Sequence, residues 1–389
     1  MNNEQRILCL AARTQRNTGD AERLLALLQG QVDWERLWQL GHLHEVLPLL
    51  ANSLRPLAGQ ASIPAAWLAR AQRRLYATLL RNTTLRDELA RVVLALRAVG
   101  VELIPVKGVV LAETIYGNLA LRPAADLDVL VQPRDLPAAR AALRAQGYGH
   151  RAEPIFAELH HPYHDPQYFR QVDGGDLCLE LHWALWAERY FHLDMGALWQ
   201  RAAGGRLGDA ETRLLSPEDT LLHLAIHRSR SALRLRFLCD IAELLRRHQA
   251  TLDWDYILGQ ARVAGARTAL YYALALPAEL LGAPLPPQIL PRLGVGRLKR
   301  RLLENTCGVS ALFRPSSAGD LSQQPHLIYR ILEQDGAGQI VQALGYSLFR
   351  TGWKHVHNVR QRVRRSQESG VRSQESGERK PETGDARAE

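Results

Sequence analysis

Two aspartates one residue apart, Asp126 and Asp128, open an apolar run that continues through Val129, Leu130 and Val131. In an extended strand successive side chains point to opposite faces. Both carboxylates are therefore expected on one side, with Leu127, Val129 and Val131 facing a core. Neighbouring carboxylates repel and raise each other's pKa unless a cation lies between them. A divalent metal is the simplest such cation, and an all-oxygen ligand set selects Mg²⁺ or Mn²⁺ over zinc. Neutralising either aspartate is expected to cost the metal-free protein little, because it relieves that repulsion. The same pair also suits a solvated strand edge or a helix cap. A third carboxylate on a neighbouring strand separates these readings, and Leu177 to Trp183 offers one: Glu180 and His182 share one face there, Leu179 and Leu181 the other.

Positioning these groups takes a small set of elements. Val101 to Val106 is a β-branched apolar run ending at Lys107-Gly108, followed by helix-compatible residues to Tyr116-Gly117 and a turn-rich passage to Arg122-Pro123. Pro133 to Gln146 has the period of an amphipathic helix, with Gly147 after it. Asp173-Gly174-Gly175-Asp176 lies between two strand-like runs, a hairpin signal that delivers Glu180 to the sheet.

The set Lys107-Gly108, Arg122-Pro123, Asp126-Leu127-Asp128 and Glu180-Leu181-His182-Trp183 resembles the nucleotidyltransferase superfamily with a DNA-polymerase-β-type palm. More narrowly, it resembles a family of uncharacterised bacterial nucleotidyltransferases, over about residues 30 to 260. The superfamily pattern is a Gly followed by Gly or Ser at a helix start, an acidic pair on a strand, and a third acid on an adjacent strand. Gly108 matches the glycine, Asp126 and Asp128 the pair, and Glu180 the third acid. Val109 stands where the pattern has Gly or Ser, and sixteen residues separate it from Asp126, a longer gap than the pattern has. The resemblance implies transfer of a nucleoside monophosphate from a nucleoside triphosphate to a hydroxyl. Asp126, Asp128 and Glu180 would be metal-binding and catalytic, with Lys107, Gly108 and Arg122 at the nucleotide's phosphates. It leaves the acceptor open among a sugar, another small molecule, a protein side chain and RNA. It further implies a polar seam of His227 and Asp240 beside the palm, for which a plain helix-packing hydrogen bond between the two is the alternative. Val109 keeps a second reading open, a catalytically silent palm that binds a nucleotide or a partner.

The expected fold class is α+β, a small mixed sheet flanked by helical regions. Residues 1–99 read as helical, 100–204 as the palm, 205–312 as a second helical region, 313–364 as peripheral helices and 365–389 as a disordered tail. Ser62-Ile63-Pro64 starts a long helix that Gly100 stops. Ser216-Pro217-Glu218-Asp219 caps another, on which His223 and His227 lie four apart. Leu224 follows the first histidine where a zincin has Glu, which removes a protease reading. His42 and His44 read as surface residues. His160, His161, His164 and Asp165 read as a loop over the site, since Pro162 and irregular spacing do not fix metal geometry. Gln339 to Val363 reads as a basic terminal helix able to touch a membrane surface or a partner.

Composition narrows the class. The 389 residues are 46% hydrophobic and 23% charged, ordinary for a soluble globular chain. The charge of +9 fits a polyanionic partner such as a nucleotide, although the basic residues are nearly all arginine and the excess reads as compositional bias. Four scattered cysteines form neither a disulfide framework nor a zinc pattern. With no run long enough to span a bilayer and no leader-like N-terminus, a cytoplasmic protein is expected.

Overall fold

A computed structural model describes residues 1–150, 167–172, 175–185, 191–230, 234–313 and 335–336. The histidine-rich stretch 160–165, the basic segment 339–363 and the tail 365–389 fall outside these residues. The fold is α+β. In chain order, α1 (Asn3–Ala11), α2 (Thr18–Gln29), α3 (Trp34–Leu43) and α4 (Leu47–Leu54) lead into the long α5 (Ala65–Arg97). Then come β1 (Leu103–Val106), α6 (Gly108–Thr114), β2 (Leu127–Val131), α7 (Leu136–Ala145), β3 (Gly149–His150), β4 (Tyr168–Val172) and β5 (Gly175–His182). After α8 (Met195–Arg201) and the hairpin β6 (Ala203–Leu207) and β7 (Ala210–Leu214), the chain returns to helix. These are α9 (Pro217–Arg230), α10 (Leu235–His248), α11 (Trp254–Val263) and α12 (Arg267–Leu281), with shorter helices beyond. Among the described residues no helix is long and apolar enough to cross a membrane.

Five strands form a mixed sheet in the order β1-β2-β5-β4-β3. β1 and β2 are antiparallel, β2 and β5 parallel, and β4 and β5 antiparallel. The register places Val106, Asp128 and Glu180 side by side, and Ile104, Leu130 and His182 in the next row. The alternation read from the sequence holds. Leu127, Val129, Val131, Leu177, Leu179 and Leu181 bury one face against Leu85, Leu89 and Val92 of α5 and Leu143 of α7. The other face is covered too: Ile104, Val106 and Leu130 pack with Phe191, Trp199 and Ile226. Asp128 and Glu180 thus emerge on a face roofed by α9 rather than on an open sheet.

Two boundaries differ from the sequence reading. The region expected to turn helical at residue 205 begins instead with the β6/β7 hairpin, in which Gly205 makes room for the side chain of Leu214. The two helical regions, at either end of the palm in sequence, share one core. Ile7, Leu24, Leu37 and Leu50 pack in the same cluster as Leu221, Leu238, Leu245, Leu270 and Leu274.

His42 is exposed as expected, but His44 is buried. Its Nδ1 accepts the Leu235 N–H at 3.2 Å and its carbonyl accepts the Arg236 N–H at 3.2 Å, which fastens the end of α3 to the start of α10. Burial, reinforced by Arg234, pushes its pKa from 6.5 down to about 4. Between those values the unfolded chain binds a proton that the native protein does not. Stability is therefore expected to fall as pH drops from about 6.5 to about 4, approaching about 1.4 kcal/mol per pH unit from this residue. Denaturant unfolding across that range should show the slope in the wild type. It should be shallower in His44→Asn, whose side-chain oxygen can still accept the Leu235 N–H.

Candidate active site

The turn from β1 into α6 sets the site. Lys107 has φ +46° and Gly108 φ +50°, a conformation that glycine adopts freely and lysine at a cost of order 1–3 kcal/mol. A Cβ on Gly108 would lie 3.2 Å from the Asp126 carbonyl oxygen. Glycine is thus needed twice there, for the backbone angle and for the close approach of the chain just before β2. The turn sends Lys107 back over the sheet, where its Nζ donates to Asp128 Oδ1 at 2.7 Å.

Asp128 is 3% exposed. His182 Nε2 lies 3.0 Å from the same Oδ1 and 3.4 Å from Glu180 Oε2, and Gln167 Nε2 donates to Glu180 Oε1 at 2.8 Å. Burial alone would raise the Asp128 pKa, yet Lys107 and the His182 hydrogen bond hold it below the usual carboxylate range. The same opposition decides Glu180, where His182, Lys107 and Gln167 outweigh burial and keep the carboxyl ionised. Burial works against charge on His182, and the two carboxylates raise its pKa regardless. Asp126 differs. It is half-buried in the segment just before β2, and burial followed by repulsion from Asp128 pushes its pKa up.

One oxygen each of Asp128 and Glu180 and one nitrogen of His182 all lie within 4.8 Å of one another, a grouping able to hold a metal ion. A cation already sits against one of these oxygens, the Lys107 ammonium, so the place suits positive charge. Asp126 is outside this tight group but feels Asp128, Lys107 and Glu180. The metal-ligating group of the sequence reading thus gains His182, whose alternation with Glu180 was its only sequence signal.

Arg122, expected at the phosphates, is buried. Its guanidinium donates to Asp240 through Nε (3.1 Å) and Nη2 (3.0 Å), and through Nη1 to the Gly108 and Pro123 carbonyls. Tyr116 adds its hydroxyl to Asp240 at 3.0 Å. Asn82 of α5 grips the Leu119 and Arg122 carbonyls, which fixes the passage leading to the aspartates. The Asp240 half of the expected seam therefore exists with Arg122 and Tyr116 as its partners. His227 instead stacks on His223, with ring centroids 5.9 Å apart, and meets the edge of Phe237. Burial lowers the pKa of both histidines, with Lys107 adding to the effect.

A cleft of about 450 Å³ opens beside these groups. Its lining includes Lys107, Gly108, Asp126 and Asp128 together with His42, Glu45, Arg74, Arg234 and Arg236. The model of a family described as uncharacterised nucleotidyltransferases matches residues 30–282. The chain belongs to that family. No curated protein and no solved structure matches it. The matched span includes both helical regions and the sheet, so the cleft of this nucleotidyltransferase-family protein is built wholly from matched residues.

The ion pairs reverse part of the expectation for metal-free stability. Removing the Asp128 charge leaves Lys107 buried without its partner, and Asp128→Asn is expected to destabilise the protein by about 3 kcal/mol. Asp126→Asn removes a strained charge and should be neutral or stabilising. Denaturant unfolding in chelator-treated buffer checks both, and equal losses from the two variants would contradict this account.

Proposed function

We propose that the protein transfers a nucleoside monophosphate from a nucleoside triphosphate to a hydroxyl acceptor with the help of Mg²⁺ or Mn²⁺. The observation that carries the reading is the register that sets Asp128 beside Glu180 on parallel strands, with Asp128 and Asp126 lining a cleft formed by the segment matched to the family. Asp128 and Glu180 would hold the metal, with Asp126 at its cleft side and His182 orienting both carboxylates. Such an ion supplies neutralisation of phosphate charge and a lower pKa for the acceptor hydroxyl. The acceptor oxygen attacks the α-phosphorus, the bond from that phosphorus to the bridging oxygen breaks, and pyrophosphate leaves. For the hydroxyl proton, Asp126 is better placed than Glu180. Glu180 already accepts from Gln167 and contacts His182, whereas Asp126 lines the cleft and accepts no side-chain hydrogen bond among the described residues. Gly108 keeps the backbone low enough for phosphates to approach.

A second reading, the silent palm, draws on Lys107: an ammonium 2.7 Å from Asp128 can stand in permanently for a metal. Transfer of label from α-labelled nucleoside triphosphates, with and without Mg²⁺, separates the two. Wild type should label an acceptor only with the metal, and Asp128→Asn and Glu180→Gln should each lose at least 100-fold in rate, about 2.7 kcal/mol. Metal-dependent nucleotide binding without transfer to any acceptor would favour the silent palm. Indifference of both binding and transfer to these variants would remove the metal site.

A further inference from the structure

The groups expected to meet the nucleotide's phosphates are engaged elsewhere. Lys107 serves Asp128, Arg122 serves Asp240, and Val109 has no hydroxyl to offer. Other arginines of the cleft lining supply the charge instead. Arg234 and Arg236, flanking the start of α10, both reach Glu45: Arg234 Nη1 contacts Glu45 Oε1, and Arg236 Nε lies 2.7 Å from Glu45 Oε2. Arg236 Nη1 also donates to the Pro123 carbonyl at 3.2 Å, which places it beside the turn that carries Arg122 and the aspartates. Arg74, from α5, lines the same cleft and makes no ion pair among the described residues. Two guanidiniums therefore share one carboxylate, and a third lines the cleft with them.

Glu45 occupies an unusual position. Its N–H reaches the His42 carbonyl and the Val46 N–H reaches the Gly41 carbonyl, the pattern of a helix end whose left-handed residue is usually glycine. Glu45 takes that place at φ +58°. The strain buys a carboxylate that holds two guanidiniums at the rim of the cleft. Burial, then repulsion from Arg122, pushes the Arg236 pKa down to about 10.

We propose that Arg74, Arg234 and Arg236 form a phosphate-binding subsite that takes the polyphosphate tail of the nucleotide, in the cleft that Asp126 and Asp128 also line. The inference rests on the nucleotidyl-transfer reading for the identity of the ligand. Guanidiniums bind phosphate oxygens in pairs of charge-assisted hydrogen bonds. A cleft of this size suits a small anion better than a nucleic-acid strand.

Calorimetric titration with tripolyphosphate, ATP and AMP tests this. Tripolyphosphate carries no nucleoside and can be titrated without metal. Wild type should bind tripolyphosphate and ATP. Arg74→Ala and Arg234→Gln should each weaken both by about tenfold, with AMP unaffected. Arg74 is exposed and makes no ion pair among the described residues, so its variant decides the matter if Arg234→Gln fails to fold. Asp128→Asn should leave metal-free tripolyphosphate binding in place. Absent binding by wild type, or unchanged tripolyphosphate affinity in Arg74→Ala, overturns the subsite even if Mg²⁺-dependent transfer is intact. A loss in AMP affinity equal to that in ATP also overturns it. Weakened tripolyphosphate binding in a protein that transfers no nucleotide would keep the subsite and remove the transferase reading. If the variants impair only transfer to a phosphorylated acceptor while ATP and tripolyphosphate bind as before, the arginines hold the acceptor and the proposal is wrong.

Discussion

A carboxylate on an inner strand, roofed by a helix and almost sealed from water, needs a positive group beside it or it cannot stay ionised. Asp128 is such a group, and much of the site's architecture answers that need. The left-handed turn at Lys107-Gly108 throws an ammonium across the end of the sheet, and the parallel register of β5 brings His182 to the same oxygen. Glu180 then sits against a row of positive charge and keeps its own negative charge. The strain at Lys107 makes sense on these terms, since an ordinary backbone angle would not return its side chain to Asp128.

The second organising pair is Arg122 with Asp240. It spans the cleft floor from the palm to α10, and Asn82 of α5 braces the same loop. Three parts of the chain therefore hold the passage that delivers the aspartates. Breaking a buried bidentate pair of this kind costs several kcal/mol, so these residues hold the passage to the aspartates firmly in place. The freer cations lie at the helical rim, where Glu45 keeps two of them in place.

Alternation of face along Leu127 to Val131 and Leu177 to His182 was legible in the sequence, as were the hairpin that carries Glu180 and the long helix that ends at Gly100. Those signals are local, and each rests on a period or a turn residue. Partners that depend on tertiary approach were not legible. The Arg122–Asp240 pair joins residues 118 apart, and nothing in the neighbourhood of either residue names the other. Lys107 looked like a phosphate ligand because its backbone angle, which aims it at Asp128, leaves no trace in residue type. His44 looked exposed because its burial comes from α10, which packs against it from the far end of the matched region. The β6/β7 hairpin was hidden by Gly204 and Gly205, poor strand formers, of which Gly205 is needed because Leu214 fills the space a side chain would take.

The helical core shared by the two ends of the matched region bears on how the chain is made. The palm lies, in chain order, between two halves of a single helical body, so α1–α4, which also pack on one another and on α5, cannot complete their core until α9–α12 leave the ribosome. Leu50 and Leu221 belong to one cluster. At typical elongation rates the stretch between them takes roughly 10–30 s to synthesise. Throughout that interval the first helices carry exposed apolar stripes while the sheet can already close on α5. The palm is then the earliest part able to fold, and the cleft, which needs α10, among the last to form. A nascent chain of this design would acquire its carboxylate cluster before it acquires Arg234 and Arg236.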